Sequence, residues 1–146
     1  MDVLCIGNSF SQDSTRYLHR IARAGGVLLN VCNLYVSGCT LAQHYQFMMA
    51  DSAEYELEYN GELTKFMVSL KQALTNREWD YISFQQASHK CTDSESYEPY
   101  LTELHKFAKK CCPRFLTEGQ CLKIILPIVK RFAVLIKFAS NHSRTI

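Results

Sequence analysis

Hydrophobic and polar positions along this chain follow two periods. Val3-Leu4-Cys5-Ile6 is a short continuous apolar run, the pattern of a strand buried on both faces of a parallel sheet. A helical spacing follows in Tyr17, Leu18, Ile21, Ala22 and Gly25. Ser11, Asp13 and Ser14 offer caps at its start, and Gly25-Gly26 ends it. Val27 to Val36, rich in β-branched and aromatic residues, reads as a second strand that stops at Ser37-Gly38. Strand, helix and strand in this order form a βαβ unit with a right-handed crossover.

Further along, Thr40 to Ala50 predicts a helix capped by Thr40. Tyr55 to Leu63 alternates around Asn60-Gly61, a hairpin signal read as a small β excursion. Leu70 to Trp79 predicts a helix, and Tyr81 to Phe84 a third core strand ending in Gln85-Gln86. Tyr97 to Cys111 carries apolar residues at 97, 100, 101, 104, 107 and 108, one face of a helix. Leu122 to Val129 reads as a fourth strand. Alternating strands and helices predict an α/β domain of three layers, α/β/α, around a mainly parallel sheet.

The 146 residues suffice for a single domain, and 47 % hydrophobic with 21 % charged residues excludes a disordered or fibrous chain. Charge is uneven. Through Cys112 there are ten Lys/Arg against thirteen Asp/Glu; from Pro113 onward there are six against Glu118 alone. The division predicts a main domain over 1–112 and an atypical basic tail over 113–146, which supplies the fourth strand and a helix of the same domain. The net charge of +2 gives no case for nucleic acid. Leu122 to Phe138 is interrupted by Lys123, Pro127, Lys130, Arg131 and Lys137, which excludes a membrane span. Seven cysteines without a C-x-x-C pair read as reduced, mostly buried thiols. With no signal peptide in this chain, the expected location is cytoplasmic.

Three strand ends carry unusual polar residues: Gly7-Asn8-Ser9, Ser37-Gly38-Cys39-Thr40 and Gln85-Gln86-Ala87-Ser88-His89. In an open parallel sheet such ends converge on one rim, where ligands bind. Ser9 beside a helix start suits a nucleophile whose oxyanion meets backbone N–H groups. Gly38 offers a second N–H without a side chain in the way, and Gln85 or Gln86 a carboxamide. Each has a plain alternative: Ser9 and Ser11 as helix caps, Gly38 as a turn residue, the glutamines as loop amides. A phosphate cradle at Gly7 to Ser11 is the weaker reading, because G-x-G-x-x-G and G-K-[ST] are both missing.

Gly-Asn-Ser-Phe-Ser, then Asn-Leu-Tyr-Val-Ser-Gly-Cys-Thr-Leu, then Trp-Asp-Tyr-Ile-Ser-Phe-Gln-Gln-Ala-Ser resembles the SGNH/GDSL hydrolases over about Asp2 to Cys112. It is similar to an uncharacterised bacterial branch in which GNSFS replaces the GDS opening. The resemblance implies a flavodoxin-like sheet, Ser9 as nucleophile, and Gly38 with Gln86 or Gln85 at the oxyanion hole. It implies small-molecule or glycan acyl esters as substrates and no metal or organic cofactor; the charge and hydropathy patterns above give the expectation of no nucleic-acid or membrane partner.

The family's late D-x-x-H base block is missing. His142 has Ala139 three residues before it, whereas His89 and His44 lie near the third and second loops as candidate bases. The chain thus reads as shortened at its C-terminus, through a frame change or a gene-model error. It is an ester-hydrolase scaffold with no identified base; the alternative is a non-catalytic binding module that retains the pocket. An unfinished sheet edge predicts self-association.

Overall fold

The computed structural model describes residues 1–112; the predicted strand at Leu122 to Val129, the basic tail and His142 lie outside the described residues. The fold is mixed α/β. Strand β1 (Asp2–Gly7) sits between β2 (Asn30–Tyr35) and β5 (Tyr81–Phe84), parallel to both. Beyond β2 the sheet continues with β3 (Tyr55–Tyr59) and β4 (Glu62–Val68), giving the order β4-β3-β2-β1-β5. The expected side excursion around Asn60-Gly61 is therefore part of the main sheet. Its turn forms as predicted, with Asn60 and Gly61 both at positive φ (53° and 86°). Because β3 pairs antiparallel with both β2 and β4, the sheet is mixed, and its parallel part is confined to β2, β1 and β5.

Period-two alternation gives each sheet face its own apolar core. Leu4 and Ile6 of β1, Cys32 and Leu34 of β2, and Ile82 and Phe84 of β5 pack in one cluster. Helices α3 (Leu41–Ala50), α4 (Leu70–Thr75) and α5 (Tyr100–Cys111) cover it with Leu41, Leu70, Leu74, Leu101 and Leu104. Each such Leu or Ile contributes about 1.5–3 kcal/mol on burial. Val3, Cys5 and Val31 form the second cluster, closed by Leu18 and Ala22 of α2 (Leu18–Ala24). Both α3 and α4 start on capping boxes, Thr40 with Gln43 and Ser69 with Gln72.

Several boundaries differ from the sequence reading. The first helix is two, α1 (Ser9–Thr15) and α2, joined at Arg16-Tyr17. Asn8 caps α1, while Ser11, Asp13 and Ser14 lie inside it. The hydroxyls of Ser11, Ser14 and Thr15 donate back to carbonyls three or four residues earlier, which weakens a helix from within. With the helix broken, Tyr17 and Ile21 turn outward, 54 % and 50 % exposed, instead of joining the core. Strand β2 begins at Asn30, leaving Leu28 exposed. Helix α4 stops at Thr75, and Trp79 packs back with its Nε1 donating to the Ala73 carbonyl at 3.1 Å.

Candidate functional site

Parallel register sets the C-terminal ends of β1, β2 and β5 side by side. Val36 N–H donates to the Gly7 carbonyl at 3.2 Å and Gln85 N–H to the Ile6 carbonyl at 2.9 Å. Asn8 then ties the three outgoing turns together. Its Oδ1 accepts from Phe10 N–H at 3.2 Å, and its Nδ2 donates to the carbonyls of Cys39 (3.1 Å) and Gln86 (3.4 Å). Only 1 % of Asn8 is exposed, so these bonds form away from water. Gly7 must lack a side chain: a Cβ there would lie 2.7 Å from Ser11 Oγ and 2.8 Å from Gln85 Oε1.

Ser9 is the first residue of α1, exposed, and its hydroxyl bonds to none of the described residues. Gly38 occupies the third position of the turn closed by Cys39 N–H to the Val36 carbonyl, at φ +61° with open space around it. Its own N–H has no partner among the described residues. The two glutamines differ sharply. Gln86 is fully engaged: Oε1 accepts from the N–H groups of Leu41 (3.1 Å) and Ala87 (2.9 Å), and Nε2 donates to the carbonyl and hydroxyl of Ser96. Gln85 lies beside Gly7, its Oε1 buried without a partner among the described residues, and its Nε2 donates to no described residue.

The two histidines also part company. His89 stands exposed in a single 3-10 turn, Ser88–Lys90, on the third loop. His44 is completely buried, stacked on Tyr55 with ring centroids 5.6 Å apart. Its Nδ1 meets Tyr55 Oη at 2.9 Å and Cys39 Sγ at 3.4 Å, and its Nε2 has no well-formed hydrogen bond. Burial drives the His44 pKa down to about 3, offset in part by the Gln85 backbone. The same burial pushes the Cys39 thiol up to about 12, so both groups are neutral near pH 7. Cys39, the last residue of the Gly38 turn, is thereby tied to His44.

The sequence matches the family model described as "Domain of unknown function (DUF4886)" over residues 2–114. The chain belongs to the DUF4886 family. The crystal structure of a DUF4886 family protein from Bacteroides uniformis ATCC 8492 is similar at 32 % identity and a TM-score of 0.76. That likeness covers 85 % of this chain and 48 % of that one, so this chain spans about half the length of the solved relative it matches. No curated protein matches it.

Within this DUF4886 domain, no described group of three or more His, Cys, Asp or Glu residues is arranged to hold a metal. No helix among the described residues is long and apolar enough to cross a membrane. Sequence reasoning passed over Asn8, although an Asx residue directly before a helix is a cap signal. It also passed over Asn33 and Glu58, two polar residues that face each other across β2 and β3 and are 1 % and 4 % exposed. The signal was present in Asn33, a polar side chain in the middle of an apolar strand.

Proposed function

We propose that this DUF4886 chain carries the nucleophile and oxyanion part of an SGNH-type ester hydrolase, acting on carbohydrate or other acyl esters. The observation that carries the reading is the Asn8 knot: three strand-end turns meet at one rim, with the Ser9 hydroxyl exposed and without a partner among the described residues. The parallel β2-β1-β5 core with apolar clusters on both faces supports the three-layer arrangement such a domain uses. In the reaction, Ser9 Oγ attacks the ester carbonyl, forming an acyl-serine and releasing the alcohol; water then frees the acid. Gly38 N–H and Gln85 Nε2, both without partners among the described residues, are the donors offered to the oxyanion. Each such donor is worth about 10²–10³ in rate. Phe10, exposed beside Ser9, offers apolar surface to an acyl group.

The reaction also needs a base. His44 is unsuited, being sealed behind Tyr55 and Cys39, whereas His89 is exposed on a rim loop. No described imidazole is hydrogen-bonded to Ser9, and this favours a second reading, a binding module that holds the ester without cleaving it. A fluorophosphonate probe separates the two. Labelling that disappears in Ser9→Ala and slows in His89→Ala supports the hydrolase. Absent labelling, or labelling that persists in Ser9→Ala, supports the binding module. Among the described residues the outer edge of β5 is unpaired, which supports self-association through that edge; a monodisperse monomer in sedimentation would remove that part.

A further inference from the structure

The sheet face beneath α1 holds a buried acidic side chain with no counter-ion among the described residues. Glu58 on β3 is 4 % exposed, and no Lys, Arg or His among the described residues pairs with it. Its two oxygens instead receive two carboxamides. Gln12 Nε2 on α1 donates to Oε1 at 2.5 Å, and Asn33 Nδ2 on β2 donates to Oε2 at 2.7 Å. Both oxygens act as acceptors, so one side chain on β3 joins α1 to β2. A buried polar side chain is costly unless its hydrogen bonds are made, and an apolar side chain would pack more cheaply on a sheet core.

What this side chain secures is α1. Seven residues cannot sustain a helix alone. Three points hold it. Asn8 fixes its start; Glu58 grips Gln12, one turn after Ser9; and the Asn60-Gly61 turn lies against the backbone where α1 ends. A Cβ on Gly61 would come within 2.1 Å of the Arg16 carbonyl oxygen, so that approach depends on glycine. The β3–β4 hairpin thus supplies two of the three fixings of the segment that carries Ser9.

We propose that Glu58 is a positioning residue for Ser9, acting through Gln12 and the body of α1. This rests on the reading of Ser9 as the reactive hydroxyl, so the experiment has two arms. In the first, amide hydrogen exchange is followed in the full chain, its Glu58→Ala, Glu58→Gln and Gln12→Ala variants. Glu58→Ala and Gln12→Ala should speed exchange at the Gln12 and Arg16 amides by about tenfold, the effect of losing a buried hydrogen bond. Amides of β1 and β2 should hold their protection. Glu58→Gln should restore most of it, since a rotated Gln12 amide can still donate or accept.

In the second arm, fluorophosphonate labelling of Ser9 should slow in Glu58→Ala and recover in Glu58→Gln. Unchanged α1 exchange in Gln12→Ala, or a uniform loss of protection across the sheet in both alanine variants, overturns the proposal. If Glu58→Ala does not fold, Gln12→Ala decides the matter, because it leaves the strand interior intact. Absence of labelling in the unmodified chain would instead defeat the hydrolase reading, with the exchange arm still deciding whether Glu58 holds α1.

Discussion

The backbone N–H of Leu41 donates to the side-chain carbonyl of Gln86 at 3.1 Å, across 45 residues of chain. The start of α3 is thereby fixed to the end of β5. The resemblance implied Gln86 or Gln85 at the oxyanion; Gln86 makes four hydrogen bonds within the scaffold, and Gln85 is the glutamine whose Nε2 has no partner among the described residues.

Replacing the two glutamines should therefore have opposite signatures. Gln86→Ala leaves two buried N–H groups and the Ser96 loop without partners, and should lower unfolding free energy by about 2–4 kcal/mol in urea. Gln85→Ala removes a side chain whose Oε1 is already unpaired, and should cost under about 1 kcal/mol. On Ser9 labelling the order reverses, with Gln85→Ala slower by about 10²-fold if it holds the oxyanion. Equal stability losses would refute the contrast.

Asn8 should tolerate no charge. Asn8→Asp preserves the cap on Phe10 but turns a carboxylate oxygen toward the carbonyls of Cys39 and Gln86. Two donor bonds become repulsive contacts in a buried place, so Asn8→Asp should be at least as damaging as Asn8→Ala, about 2–3 kcal/mol. Thermal melts at neutral pH check this, and Asn8→Asp matching the unmodified chain would contradict it.

Acid should weaken the fold through His44. Its ring is held neutral in the folded chain, with a pKa near 3, and protonates near the ordinary 6.5 once unfolded. Above pH 6.5 both states are neutral and the ring imposes no pH dependence. As pH falls from 6.5 toward 3 the unfolded chain alone gains the proton, and stability declines by up to about 1.4 kcal/mol per unit. Urea midpoints from pH 7.5 to 4 should fall less steeply in His44→Gln; parallel slopes would exclude the ring as the cause.

Two glycines of the rim should separate by mechanism. Gly7→Ala drives a Cβ into Ser11 and Gln85 and should cost about 1–3 kcal/mol through overpacking. Gly38→Ala meets nothing within 4 Å and incurs only the left-handed backbone penalty, about 1–2 kcal/mol, with its N–H retained. Ser9 labelling should survive in Gly38→Ala and drop in Gly7→Ala, whose turn must shift.

The sequence alone determined the strand at Val3 to Ile6, the Thr40 cap of α3, the Asn60-Gly61 turn and the strand at Tyr81 to Phe84. These are local matters: an apolar run, a capping hydroxyl and a positive-φ turn act between residues close along the chain. Tertiary structure alone decided that the hairpin joins the sheet, that Tyr17 and Ile21 face water, and that Gln86 and His44 are bound into the scaffold. A carboxamide or an imidazole has the same composition whether its hydrogen-bond partners are 45 residues away or in solvent. Its role is set by which distant donors and acceptors the fold brings within about 3 Å, and no local pattern encodes that.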